Sequence, residues 1–313
     1  MLSLVLRRLL ATIPVMGVVA LFVFALLRLT PGDPAAVIAG DYASPDDVAR
    51  IRAALGLDRP LHVQLGLWLG SLLRGDLGTS IFSGLPVATL IKQRIEPTLA
   101  LATLTMLFAV LVAVPLGVLA AWKQGSWIDR AVMVAAVSGF SMPVFWLGFL
   151  LIWLFAVQLG WLPVQGYVPI RNGLWPFLRQ LILPTLTLGF VYLALITRMT
   201  RASMLTVLRE DYIRTAFAKG LASPSVLLRH ALKNASLPVV TIIGVGIALL
   251  IGGVVVTESV FAIPGIGRLT VDAILRRDYP VIQAVILLVA GVYVLVNLVI
   301  DLLYLALDPR IRY

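Results

Sequence analysis

Asp211-Tyr-Ile-Arg-Thr-Ala-Phe-Ala-Lys-Gly220, with its continuation Arg229-His230-Ala-Leu-Lys-Asn234, is a basic, helix-forming stretch broken by a glycine. Uncharged windows flank it, 180–197 before and 234–257 after, and four more lie at 9–27, 97–122, 131–170 and 279–300. Each is long enough to cross a hydrocarbon core of about 30 Å, which needs roughly 20 helical residues. A chain that keeps one structured, charged loop among such windows commonly uses that loop to meet something soluble.

Composition agrees with a membrane protein. The chain is 60% hydrophobic and 13% charged, with a mean hydropathy of +1.02, against about 25% charged residues in a soluble domain. The third long window is expected to hold one span over 131–157 followed by a loop, because Gly160, Pro163, Gly166 and Pro169 break helix after it. Two shorter windows, 60–73 and 77–91, carry His, Gln, Ser, Gly and Pro and read as interfacial or soluble. The windows show no two-residue alternation, which argues against a closed β-barrel. The expectation is an all-α, polytopic protein with six transmembrane helices. Its segments would be a cytoplasmic end and first helix (1–29), an extracytoplasmic segment (30–96) and a five-helix core (97–313).

Lys and Arg set the orientation. Arg7, Arg8, Lys123, Arg130, seven residues of the long loop, Arg310 and Arg312 place 13 basic residues on the side of the N-terminus. The short loops opposite hold five: Arg171, Arg179, Arg268, Arg276 and Arg277. Both termini are therefore expected in the cytoplasm. Window 9–27 lacks a clear small-residue cleavage site and reads as a retained span rather than a signal peptide.

The chain has no cysteine and two histidines, His62 and His230. Thiol catalysis, thiolate metal sites and a His-based centre are thereby disfavoured, and no catalytic or metal residue is assigned. The pI near 10.4 is explained by cytoplasmic basic residues attracted to anionic lipid headgroups, without invoking nucleic acid.

In the outer segment, Thr30-Pro-Gly-Asp-Pro34 ends the first helix, and Ser44-Pro45-Asp46-Asp47 starts another, with Ser as N-cap and Pro at the first helical position. Gly56 closes that helix, Leu61–Leu73 forms a second amphipathic piece, and Pro86–Ile95 leads into the second span. The segment reads either as a cap over the bundle or as a platform for an external binding protein. In the cytoplasmic loop, residues 198–233 carry a net charge of +5. Residues 209–219 read as a short helix, Gly220 as the left-handed residue after it, and Ser223-Pro224 as N-cap and first residue of a second helix. Two short helices about a glycine turn make a knob that could fill a groove in a soluble partner. A basic loop lying on anionic lipid is the alternative.

The loop resembles the one by which permeases of ABC importers dock on their ATPases. That signature reads Glu-Ala-Ala, three residues, Gly; here Arg214-Thr215-Ala216 and Gly220 occupy its places. The substitutions are similar to the dipeptide/oligopeptide subfamily, whose loop commonly reads Asp-Tyr-x-Arg-Thr-Ala followed by Arg-His-x-Leu-x-Asn. Further matches, in order along nearly the whole chain, are Leu29–Pro34, Leu55-Gly-Leu-Asp58 with Pro60-Leu61, and Gly75-Asp-Leu-Gly78. Glu258-Ser-Val-Phe261 with Pro264-Gly-Ile-Gly267, Arg277-Asp-Tyr-Pro280 and Asp308-Pro309-Arg310 continue the series. The resemblance implies a type I ABC-importer permease in a bacterial inner membrane. Its partners would be a homologous second permease, two cytoplasmic ABC ATPases and an extracytoplasmic substrate-binding protein. It makes Asp211, Tyr212, Arg214, Thr215, Ala216, Lys219, Gly220, His230 and Asn234 the ATPase-coupling residues of a loop spanning 198–238.

Other features fit that role. No Gly-x-x-x-x-Gly-Lys-Ser/Thr occurs, so the chain has no P-loop; it binds no cofactor itself, and ATP and Mg belong to partner subunits. Gly244, Ala248 and Gly252 form a small-residue face in the fifth span. Tyr293, Asn297, Asp301 and Tyr304 form a polar stripe in the last, read as internal hydrogen bonding or pathway lining. Glu258, Phe261, Pro264, Gly265, Ile266 and Gly267 are outer-gate candidates, with Asn297 and Asp301 as pathway candidates. A secondary transporter would need intramembrane ion sites, and only Asp301 and Glu258 come near. An intramembrane protease would need a Ser–His or Asp–Asp pair and a channel a repeated pore loop; neither is found. Peptide is the default substrate, with glutathione, a nickel chelate or haem as alternatives within the resemblance.

Overall fold

The computed structural model describes residues 2–29, 34–39, 44–54 and 56–307. The sequence features at Thr30–Asp33, Leu55 and 308–313 lie outside these residues. The described chain is built from α-helices: α1 (Leu2–Leu29), α2 (Pro34–Ala39), α3 (Pro45–Ala54), α4 (Leu61–Leu73), α5 (Val87–Trp122), α6 (Trp127–Ser141) and α7 (Val144–Leu151). Then come α8 (Leu174–Val207), α9 (Asp211–Ala218), α10 (Ser223–Ser225), α11 (Leu232–Val260), α12 (Ile266–Leu275) and α13 (Tyr279–Leu307). One isolated bridge, Thr79 to Pro86, is the only extended pairing among the described residues. Four stretches, Val87–Trp122, Leu174–Val207, Ser223–Leu250 and Tyr279–Leu302, are long and apolar enough to cross a membrane, and α1 contributes the shorter apolar run Leu10–Leu26.

The third window departs from the expectation of one span over 131–157. It is two helices, Trp127–Ser141 and Val144–Gln158, bent by 105°. The break lies at Met142 (ψ 133°) and Pro143 (ψ 133°), both non-helical. Pro143 lacks an N–H and pushes Met142 into the extended region. Beyond α7 the backbone widens into a π-turn over Ile152–Gln158. Elsewhere the spans keep their prolines inside the helix, at Pro97, Pro115, Pro184 and Pro238, as membrane helices tolerate when neighbours satisfy the freed carbonyls.

The chain forms two compact units. One comprises residues up to Ile95 together with Leu269–Val294. In it Val23 and Phe24 of α1 are buried with Val87, Ile91, Val281 and Val285, and Phe24 meets Trp68 of α4 at 5.8 Å. The α3 start is as expected: Val48 N–H bonds to Ser44 O, and Gly56 ends the helix at φ +64°.

The other unit comprises Glu96–Arg268 and residues from Leu295 onward. Its main core joins Leu101, Leu181, Leu188, Tyr192, Ile196, Leu250, Val254, Phe261 and Ile263. Helices approach closely where small residues allow it. A Cβ on Gly117 of α5 would lie 2.6 Å from Thr200 Cβ of α8, and one on Gly244 of α11 would collide with Ile300 of α13. Asp129 and Arg201 join α6 to α8 in a bidentate pair, at 2.6 and 2.7 Å. A second, smaller core gathers Val118, Met204, Ile213, Ala216, Val226, Leu227, Ala231 and Ala235. This is the ground on which the charged loop is built.

Candidate functional site: a charged loop and a locked turn at the two ends of one helix

Helix α9 is two residues shorter at its start than the expected 209–219. Glu210 takes the N-cap position with extended backbone, and Asp211 sits in the first turn at the positive dipole end. Ile213 and Ala216 are buried and anchor α9 on the small core. The face away from that core presents Tyr212 and Phe217, both exposed, with Arg214 paired to Asp211 at 3.2 Å in full view of solvent. Thr215 donates its hydroxyl to Asp211 O at 3.0 Å and so serves the helix itself.

The helix ends in a Schellman turn. Leu221 N–H bonds to Ala216 O and Gly220 N–H to Phe217 O, with Gly220 at φ +79°. A Cβ there would meet nothing within 4 Å. Glycine is therefore required by backbone conformation alone.

The second arm differs from the expectation. Ala222, not Ser223, is the N-cap, with Pro224 in the first turn. The arm is not a separate short helix, because α10 passes through a π-turn at Val226–Ala231 directly into α11. Nothing between Pro224 and Pro238 interrupts the helix. Val226, Leu227 and Ala231 face the same small core as Ile213 and Ala216, while Arg229 is exposed and His230 half-buried. Asn234 Nδ2 donates to Tyr212 Oη at 2.6 Å, tying the first turn of α11 to α9. Asp211, Tyr212, Arg214, Thr215, Ala216, Lys219, Gly220, His230 and Asn234 thus belong to one local unit. Lys219, Arg229 and Lys233 add to its exposed cations. A pre-shaped, positively charged knob of this kind offers a fit to a groove and no chemistry.

The residues expected as outer-gate candidates also come together. Helix α11 ends in a second Schellman turn, with Ile263 N–H on Glu258 O and Ala262 at φ +50°. Glu258 is fully buried. Its Oε1 accepts from the Thr98 hydroxyl at 2.6 Å and its Oε2 from Arg268 N–H at 2.9 Å, while Thr98 Oγ1 accepts Ile266 N–H at 2.8 Å. The carboxylate and hydroxyl therefore cap the first turn of α12 from outside it. Gly265 and Gly267 leave them room. A Cβ on Gly265 would fall on the carboxylate, and one on Gly267 would lie 2.6 Å from Val255 Cα. Phe261 is buried, and its carbonyl accepts Gly166 N–H at 2.9 Å. Nearby, Tyr167 donates to Glu96 at 2.9 Å; burial first, then that bond, holds its phenol above the ordinary range.

Thr98 is the residue that sequence reasoning missed: a lone hydroxyl inside the long helix α5 gives no sign of a partner 160 positions away. On α13, Asn297 is exposed and Asp301 half-buried; neither is without a partner. The two groups sit at opposite ends of α11. Asn234 and Glu258 are roughly 36 Å apart at 1.5 Å per helical residue.

The fold is that of an ABC-transporter permease. A solved structure described as an inward-facing conformation of the MetNI methionine ABC transporter aligns over 71% of this chain and 97% of its own, with a TM-score of 0.59 and 19% identity. That likeness establishes a polytopic, all-α type I permease fold. Residues 113–313 match the binding-protein-dependent transport system inner membrane component family, and residues 1–102 match its N-terminal component. The chain belongs to this family. A probable peptide ABC transporter permease of Sinorhizobium fredii is 56% identical over 99% of both chains. A dipeptide transport system permease of Alkalihalophilus pseudofirmus is 44% identical, and a glutathione transport system permease of Salmonella choleraesuis 47% identical, each over 100% of both chains. The family is one of multi-pass inner-membrane permease subunits rather than of enzymes. Membership implies, in general terms, a partner permease, a separate ATPase through which ATP acts, and a substrate-binding protein.

Proposed function

We propose that this chain forms half of the translocation pathway of an ATP-driven importer of di- and oligopeptides. Its partners are a homologous permease, two cytoplasmic ATPases and an extracytoplasmic binding protein. Both termini and the loop 198–238 face the cytoplasm, where the basic residues concentrate. The segment 30–96 and the turn after α11 face outward.

The observation that carries the reading is the continuity of α11. One helix begins inside the basic knob, where Asn234 holds Tyr212, and ends at the turn that Glu258 locks. ATP binding closes the ATPases, their grooves move the knob, and α11 delivers that motion to the outer turn. This is a population shift between two states, driven by differential nucleotide binding. The same complex type importing glutathione is the second reading, favoured by the 47% identical relative named for that substrate.

The test is purification of the tagged chain and reconstitution with its co-purifying subunits. The expected result is co-purification of two ATPases and a second permease, and uptake of labelled dipeptide in preference to glutathione. Preferential glutathione uptake would select the second reading, and absence of ATPases would overturn both. A reporter fused after Tyr313 should be active only in the cytoplasm; activity only outside would reverse every loop.

A further inference from the structure

Two outward segments are available to receive a binding protein, and the structure joins them. Gly75-Asp-Leu-Gly78 and Arg277-Asp-Tyr-Pro280 are far apart in sequence, yet a Cβ on Gly78 would touch Pro280 at 3.7 Å. Asp278 is buried and accepts the Ser80 hydroxyl at 2.5 Å and Ile81 N–H at 3.2 Å. Ser80 in turn accepts Ser83 N–H at 3.0 Å, and Ser80 N–H to Leu85 O closes the loop around Phe82. The Arg276 guanidinium lies over the Phe82 ring, 3.9 Å from its centroid. Asp278 therefore sews the 80–85 loop to the segment between α12 and α13 and fixes the shape of both.

The result is a half-open cavity of about 170 Å³ whose lining includes Ser83, Arg94, Asp272 and Arg276. That is many times the room a single water needs and enough for one side chain. Both oxygens of Asp278 are engaged inside the fold. The Arg94 and Asp272 side chains have no hydrogen-bond or ion-pair partner among the described residues. Arg277, next to the cavity, is exposed and held at φ +54°, a conformation unusual for a non-glycine residue. The lining sets Arg94 and Arg276 against Asp272 and Asp278, and the neighbouring Arg277 gives an excess of one positive charge. Because Asp278 is turned into the fold by its hydrogen bonds, Arg94 and Arg277 are the cations left for a visitor. Around the mouth, Phe82 (64%), Leu85 (45%) and Leu275 (77%) stand exposed. Arginines and an aromatic at a rigid pocket, ringed by apolar groups, match the composition of protein interface hot spots.

We propose that this composite surface is the seat of the extracytoplasmic binding protein, and that the cavity admits a carboxylate side chain projecting from it. The proposal rests on the outward orientation argued above.

Because the chain has no cysteine, a single Ser83→Cys variant reports on the cavity mouth. The probe is an impermeant maleimide, with the binding protein that stimulates ATP hydrolysis by the purified complex as protector. The expected result is labelling from outside the cell, slowed several-fold by that protein. In parallel, Arg94→Glu with Arg276→Glu should raise the binding-protein concentration for half-maximal stimulation about tenfold, with a weaker dependence on salt. Labelling from outside without protection overturns the docking site and leaves the orientation intact. Labelling only from the cytoplasmic face overturns the orientation and the docking site together. Protection by free dipeptide alone marks a small-zwitterion site and overturns the proposal.

Discussion

Gly220 and Ala262 occupy the same place in the same turn. Each follows a helix by two residues, each has positive φ, and each closes a Schellman pair of hydrogen bonds. Around Gly220 the space is open. After Ala262 the chain runs into a locked turn, where a buried carboxylate fills the room that Gly265 and Gly267 leave. The first turn shapes an exposed surface; the second fixes a piece of this protein's interior. Conformation alone governs one, and long-range packing governs the other.

Substitutions should separate the two. The largest effect is expected at Gly267. A valine there pushes against Val255 backbone at 2.6 Å, and because main chain yields poorly, roughly 3 kcal/mol or more of stability should be lost. A fall in the thermal midpoint of the purified complex checks it; an unchanged midpoint would mean that the turn is not packed as described. Glu258→Ala comes next, since it strips Arg268 N–H and the Thr98 hydroxyl proton of their acceptor. About 1–3 kcal/mol is expected, with Glu258→Gln losing less because an acceptor remains. Equal losses in the two variants would show that hydrogen bonding is not what the carboxylate supplies.

A smaller effect of opposite sign is expected at Ala262. Glycine relieves the φ of +50° but adds freedom to the unfolded chain, for a net gain of up to about 1 kcal/mol. A loss of stability would mean that the Ala262 methyl makes packing contacts outweighing the strain. Smallest is Arg214→Glu. Its pair with Asp211 is exposed on both sides and contributes little to folding, so the thermal midpoint should hold. Affinity for the ATPases should fall modestly, most at low salt and least at high salt. Full affinity would remove Arg214 from the docking face.

The same contrast explains what was legible in the sequence. The knob follows short-range rules: Gly220 after an amphipathic octet, Pro224 in a first turn, a run of Lys and Arg. Each works within a few residues, and the structure departs at the start of each arm and in the continuity of the second arm with α11. The bend in the third window lay in plain sight at Pro143, yet an apolar run hides a break when the window is read for hydropathy alone. The turn between α11 and α12 was legible in the Pro264-Gly-Ile-Gly267 motif. Its lock was not, because Glu258 depends on Thr98 across 160 positions and on steric room that only the folded chain defines. Ser80 and Asp278, 198 positions apart, escaped for the same reason.

The central claim is that the knob around Gly220 couples ATP hydrolysis to transport, and Gly220→Val tests it most directly. The substitution strains a left-handed position by about 1–3 kcal/mol without a steric clash, since nothing lies within 4 Å. The purified variant should remain inserted and paired with its partner permease. Stimulation of ATP hydrolysis by loaded binding protein, measured with uptake in proteoliposomes, should be weakened or lost. Normal stimulation and normal uptake by Gly220→Val would contradict the account and return the basic loop to a place on the lipid surface.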